Sequence, residues 1–318
     1  MPNNQTKALV QGSMMVAIFT ILMLISAYVP FIFIVSLIFA PLPIAWYSAN
    51  YKRSSSIFVA VVGCILTTLT SGITMVPFAF ILALLGVVIG SAINLKKSKL
   101  YLFMSSGVTA LLSMAIVYVA YVQFAGINII SMSMEMLRES YEQSNELAKT
   151  MTGQEAFQPE IIEAMLKTIE LTIPATVTIS AFMTAFIVIT LNLPILKRLG
   201  LDVPKFAPFQ NMRLPRSILW YYMIVLCINL FMRPEAGSTL DIIVLNVSYV
   251  LWMLLILQGI SFIHYFISKK EMPNGVKWVA TLLALPLSSF MILLGIVDLG
   301  FDVRSLVKGK SDRSHVVL

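Results

Sequence analysis

The residue types that most often do chemistry are scarce in this chain. It holds two histidines, His264 and His315, and two cysteines, Cys64 and Cys227. Zinc and glutamyl intramembrane proteases need a His-x-x-Glu-His or Glu-Glu-x-x-x-Arg cluster, and neither occurs. A nucleotide phosphate needs a glycine-rich loop ending in Lys-Ser/Thr, and none is present, so there is no built-in ATPase. Both cysteines fall inside long apolar runs, where they suggest neither a disulfide framework nor a metal site. No apolar run carries paired Asp or Glu near its middle, which argues against a proton relay. The expectation is a protein that is not an enzyme, with no catalytic residue, no metal and no cofactor.

The informative polar residues are those placed within or at the ends of apolar runs. Asn192, Asn229, Asn246 and Gln258 would each cost free energy facing lipid unpaired, so they should face a bundle interior. Interhelical hydrogen bonding, worth about 0.6 kcal/mol on average, is one use for them, and ligand contact is the other. Thr70, Thr74, Tyr118, Tyr121, Gln123, Asn128 and Glu170, with Ser71 and Thr172 beside them, cluster at one end of the runs. These are the candidates for lining a solute cavity. Near the far end of the chain, Asp298 and Asp302 stand four residues apart and share a face of any helix that persists there. With Arg304, which can pair with either of them or with phospholipid, they read as a membrane-end anchor.

The elements that position these residues follow from composition. Of 318 residues, 58% are hydrophobic and 12% charged. Soluble domains run at about 45–50% apolar and about 25% charged, so a water-soluble globule and a disordered chain are both excluded. The fold class is an all-α integral membrane protein, a polytopic helical bundle. A bilayer core about 30 Å thick needs about 20 helical residues per crossing. Nine apolar runs qualify: Ala8–Val29, Phe31–Ala49, Ser56–Thr70, Ile73–Ile93, Leu100–Ile127, Leu171–Leu196, Ser217–Met232, Leu240–Ile267 and Val276–Leu299. Pro30 and Pro41-Leu42-Pro43 should bend the second. The first is too long for a signal-peptide core and reads as a retained helix.

Charge orients the runs. With the N-terminus in the cytoplasm, that side receives Lys7, Lys52, Arg53, Lys96, Lys97, Lys99, Lys197, Arg198, Lys205, Arg213, Arg216, Lys269, Lys270 and Lys277. The other side receives only Arg138, Lys149, Lys167 and Arg233. This is a positive-inside bias for a plasma-membrane protein with a cytoplasmic N-terminus. Nine crossings would leave the basic tail, with Arg304, Lys308, Lys310 and Arg313, outside. Eight spans with a cytoplasmic tail is therefore the alternative, with the last run broken at Pro286 or a short run miscounted. The net charge of +7 reflects insertion rules and anionic lipid rather than nucleic acid.

Two polar segments divide the chain. Residues 131–170 hold eight carboxylates against Arg138, Lys149 and Lys167. Ile130, Met134, Leu137, Tyr141 and Ala148 recur there at helical spacing, which predicts an amphipathic helix continuing from the fifth span. Thr152-Gly153-Gln154 should break it, and Pro159-Glu160 should start the next helix. This acidic hairpin caps the outer face, either as a plain connector or as a lid. Residues 197–216, basic and proline-rich, form a cytoplasmic linker between a membrane module at 1–196 and a second membrane segment with its basic tail at 217–318.

Small residues four apart let helices approach closely in lipid. Ala79-xxx-Ala83 and Gly86-xxx-Gly90 in the fourth run read as internal packing. Ala8-xxx-Gly12 and Ser13-xxx-Ala17 in the first run are candidates for docking a partner.

Three stretches carry a family resemblance: residues 7–17 (KALVQGSMMVA), Leu257-Gln258-Gly259, and the ending Gly295…Asp298…Phe301-Asp302…Arg304. They resemble the YybS-like predicted membrane proteins, a Firmicute family of unknown function. That family is similar in turn to the substrate-binding S components of energy-coupling-factor transporters. The resemblance implies a six-helix S-component-like module over the first six runs, solute bound near the outer surface, and docking on a transporter coupling subunit through Ala8, Gly12, Ser13 and Ala17. Gly12 stands where alanine is more usual, and three further runs follow the module. The chain carries no coupling-protein Ala-Arg-x signature in 197–216. The leading expectation is small-molecule binding or transport. The alternative is a non-transporting scaffold or regulator that contacts lipid or a partner through its cytoplasmic loops.

Overall fold

The computed structural model describes residues 4–154, 158–204, 208–301, 303 and 304. Every regular element among them is helical: α1 (Asn4–Tyr28), α2 (Phe33–Phe39), α3 (Pro41–Asn50), α4 (Arg53–Ser71), α5 (Val76–Asn94), α6 (Lys99–Ala120), α7 (Ile129–Thr152), α8 (Pro159–Arg198), α9 (Ser217–Cys227), α10 (Thr239–Lys269), α11 (Asn274–Ala284) and α12 (Ser288–Phe301), with short 3-10 and π turns between some of them. The protein is a polytopic helical membrane protein. In lipid each backbone N–H and C=O needs an internal partner, and the helix supplies it within one segment.

The chain divides into two compact units, Met1–Gln158 with Val177–Lys205, and Pro159–Thr176 with Phe206–Leu318. The division falls inside α8, a 40-residue helix.

Unit 1 is held by small residues that let backbones meet. A Cβ added at Gly90 would lie 2.2 Å from the Ala45 carbonyl oxygen, and one at Gly86 would lie 2.8 Å from the Pro41 oxygen. Gly86-xxx-Gly90 is therefore the contact between α5 and α3, with Ala83 and Ala79 buried about one and two turns earlier. On α4, Ser56, Val59, Ala60, Gly63, Thr67 and Ser71 are the buried residues, at the three- and four-residue steps of one helix face. Phe19 of α1 is fully buried and covers Gly63. The second span is interrupted at Ala40, ahead of Pro41 and Pro43, whose rings remove two helix donors.

α7 does not continue α6. A π turn at Tyr121–Ala125 and left-handed Gly126 end the span. Asn128 then starts a new helix, its Oδ1 accepting from the N–H groups of Ile130 at 3.1 Å and Ser131 at 3.2 Å. Gly153, also left-handed, terminates α7, and Pro159 opens α8, both where expected.

The count of nine crossings is corrected. Among the described residues, seven helices are long and apolar enough to cross a bilayer. Ser217–Met232 is a shorter apolar helix, and the ninth run is α11 and α12 bent by 113° at their junction. Counting that pair as one span gives up to eight, which agrees with the alternative of eight. Pro286 sits in the three-residue break and cannot donate to continue α11.

Candidate functional site

The only described Asp–Arg pair buried in the apolar body lies in unit 2, where α10 and α12 cross. Gly259 and Gly295 bring the two backbones together: an added Cβ would lie 2.2 Å from the Met291 oxygen or 2.3 Å from the Leu255 oxygen. At this approach Gln258 Nε2 donates to Asp298 Oδ2 at 2.5 Å. The Arg304 guanidinium closes on the same carboxylate, with Nη2 2.8 Å and Nε 3.0 Å from Oδ2. The Asp298 side chain is fully buried and that of Arg304 is 5% exposed.

The rest of the cluster ties this pair to the linker. Arg304 Nη1 donates to the Gln210 carbonyl at 2.8 Å, and Nη2 donates to Ser261 Oγ at 3.2 Å. Ser261 Oγ lies 2.9 Å from the carbonyl oxygens of both Phe209 and Met212, and Gln258 Oε1 accepts from the Leu214 N–H at 2.9 Å. The Phe262 and Tyr265 rings face the guanidinium carbon at 6.0 Å and 5.3 Å. Local sequence accounts for the arrangement. Gln258 and Ser261 are three residues apart and share a face of α10, and Phe262 and Tyr265 follow on the next turn. Charges removed from water need partners on every polar atom, and Asp298 and Arg304 both have them. The cluster is thus a closed polar core that can hold three segments together.

A second polar group sits beside it. His264 Nε2 lies 2.8 Å from Thr281 Oγ1 and 3.1 Å from the Lys277 carbonyl, and the Phe209 ring meets the imidazole edge-on at 5.5 Å. Lys277 Nζ donates to Gln210 Oε1 at 3.2 Å, and the Ser268 hydroxyl donates to the same oxygen.

The sequence reading missed this site in part. Gln258 does face an interior, as its cost in lipid required. Arg304 pairs with Asp298, one of the partners its position offers, but the pair is buried rather than set as a membrane-end anchor. Asp302 lies outside the described residues. The missed signal was that the two resemblance stretches after residue 250, Leu257-Gln258-Gly259 and Gly295…Arg304, converge on one crossing. Asn246 also forms an internal tie, donating to Leu171 O and accepting from Ala175 N–H, each at 2.8 Å. Asn229 departs from expectation: it is exposed, within the π turn that ends the Ser217–Met232 helix. Arg233 follows four residues later, so Asn229 sits at a helix end rather than in mid-span.

The expected solute residues are scattered. In unit 1, Thr70, Thr74, Gln123 and Asn128 are exposed, and Tyr118 and Tyr121 are half-buried. Thr70 Oγ1 bonds the Leu66 carbonyl of its own helix, and Asn128 is occupied as the α7 cap, with the Tyr118 hydroxyl 3.4 Å from it. In unit 2, Glu170 is exposed and paired with Lys167 at 3.4 Å. The docking residues divide between two faces of α1. Gly12 is buried beneath Tyr47 and Val59 and Ala8 accepts from the Tyr47 hydroxyl at 3.2 Å, whereas Ser13 and Ala17 are exposed.

Unit 1 holds a different feature. Thr20 Oγ1, Ser48 Oγ, Ser91 Oγ, Ser106 Oγ and Asn192 Oδ1 are buried without a hydrogen-bond partner, and all five belong to it. Asn192 Nδ2 donates to Ile38 O and Val188 O, each at 2.8 Å, which places its free Oδ1 beside the interrupted second span.

Comparison with known proteins agrees with the fold. The chain is 28% identical over 309 residues to the uncharacterized protein YybS of Bacillus subtilis, covering 96% of this chain and 99% of that one. No solved structure matches. The family model matched at residues 17–299 takes in Gln258, Gly259, Gly295 and Asp298 but stops short of Arg304. That match spans the helices of both units, and the chain belongs to the family described as Predicted membrane protein (DUF2232).

Proposed function

We propose that this membrane protein binds or moves a small solute in the cytoplasmic membrane, and that it is not an enzyme. Unit 1 is the solute module in this reading, with the N-terminus in the cytoplasm. One observation carries it: among the described residues, the five unpartnered buried oxygens all lie in unit 1. A buried acceptor or hydroxyl without a partner costs about 1–3 kcal/mol, so a helical bundle gains by giving it one. A polar solute or water entering between the helices supplies such partners. The S-component resemblance supports the same module, since five spans and residues 177–198 of α8 belong to unit 1. Docking on a coupling subunit would use the exposed side of α1 around Ser13 and Ala17.

The test is thermal unfolding of the purified protein in detergent against a panel of vitamins and divalent metals, with mass spectrometry of co-purifying molecules. A ligand-dependent rise in Tm is expected, and the rise should disappear in Asn192→Leu. A flat response across the panel with no co-purifying solute would sink the proposal.

A further inference from the structure

We propose that unit 1 binds an alkali cation at the break in its second span, through Asn192 Oδ1 and the carbonyl oxygen of Phe39. The inference goes beyond the solute reading, since the ion is held by the protein's own oxygens. The break falls at Ala40, midway along the apolar stretch Pro30–Asn50. Ser36, Ala40, Pro41 and Pro43 beside it are buried. Irregular backbone at that depth is tolerated only inside protein or along a polar cavity.

The prolines release acceptors there. In a continuous helix the carbonyls of Leu37 and Phe39 would accept from residues 41 and 43. Both of those are prolines and have no N–H. Leu37 O recovers a donor in the Ala40 N–H, at 3.3 Å. Phe39 O loses its helical donor to Pro43.

Asn192 of α8 is the side chain that reaches this break, and it is 1% exposed. Its Nδ2 donates to the carbonyls of Ile38, the neighbour of Phe39, and of Val188, each at 2.8 Å. Two acceptors around that atom identify it as the nitrogen, so the amide oxygen is the atom left over. That oxygen is buried and unpartnered. Unlike a hydroxyl it can only accept, so its partner must be a donor or a cation.

Charge selects the ion. Calcium and magnesium sites draw on carboxylates. Among the described residues, the buried charged side chains are Asp298 and Arg304, and both belong to unit 2. A monovalent ion needs no carboxylate. Backbone carbonyls replace its hydration shell in channel filters, and the carbonyls of unwound helices hold sodium in transporters. A water would bridge two acceptors, but its own lone pairs would need donors. Ile38 O, Val188 O, Phe39 O and Asn192 Oδ1 are all acceptors. The ion would tie α8 to the junction of α2 and α3.

The experiment is thermal unfolding of the full-length protein in detergent, without added solute, in sodium, potassium or choline chloride at one ionic strength. Choline supplies the ionic strength without an ion small enough for the break. At several times its dissociation constant the bound ion should raise Tm by about 2–4 °C over choline. The rise should vanish in Asn192→Leu. It should shrink in Pro43→Ala, which returns an N–H to the Phe39 carbonyl and leaves Asn192 in place. Pro43→Ala carries the test if Asn192→Leu does not fold. Equal Tm in all three salts would leave the break to water and overturn the proposal. So would a rise that persists in full in either variant. A flat solute panel beside a response to sodium or potassium, or the reverse, separates this reading from the solute one.

Discussion

Gly259 and Gly295 occupy reciprocal positions at the α10–α12 crossing, each facing a carbonyl oxygen of the other helix. An added Cβ would stand 2.2 Å from Met291 O at the first and 2.3 Å from Leu255 O at the second. No side chain intervenes that could move aside. Gly259→Ala and Gly295→Ala must push the helices apart, and overpacking of this kind costs about 1–3 kcal/mol or more. Thermal unfolding in detergent should show a lower Tm for each. Gly275→Ala, at a helical site with nothing within 4 Å, should leave Tm unchanged or raise it slightly. Equal Tm values for all three variants would refute the close crossing.

The buried pair should respond asymmetrically. Removing one charge strands the other, so Asp298→Leu and Arg304→Met should each destabilise unit 2 by about 3–5 kcal/mol. Replacing both with apolar residues should recover much of that loss. A double-mutant cycle on unfolding in detergent measures the coupling. Additive single effects would mean that the two side chains do not interact.

Asn128 separates capping from ligand binding. As the α7 N-cap its loss in Asn128→Ala should cost about 1 kcal/mol and speed hydrogen exchange over residues 129–133. Any ligand-induced Tm shift should survive. Abolition of that shift with unchanged exchange would return Asn128 to the binding residues.

The unpartnered hydroxyls of unit 1 predict a trade between stability and binding. Ser106→Ala deletes a buried hydroxyl that bonds nothing in the chain, so the ligand-free protein should be equally stable or more stable. If solute or water uses that group, the ligand-dependent Tm shift should shrink in the same variant. A large loss of stability without ligand would show that the hydroxyl already has a structural partner.

Much of the fold is legible from local signals. Gly126, Gly153 and Pro159 end and start helices because backbone conformation is set within a few residues, so the acidic α7 segment could be outlined before any packing was known. The break between α6 and α7 was not legible. The apolar pattern runs through it, and only the Asn128 cap marks a fresh start.

By itself, the sequence determined a helical membrane protein, its apolar runs, the asymmetric distribution of basic residues and the interior place of Gln258. These follow from transfer free energies, which depend on residue type and spacing rather than on partners. Tertiary structure alone decided that the ninth run is bent by 113° and that Asp298 and Arg304 belong to one buried cluster. It also assigned Gly12 to internal packing and left Ser13 and Ala17 open. The reason is physical. A bend of that size and a charge pair at depth are both tolerable only when a neighbouring helix fills the space and supplies the hydrogen bonds. Here that neighbour is α10, through Gly259, Gln258 and Ser261, and the segments it joins lie up to 94 residues apart in the chain.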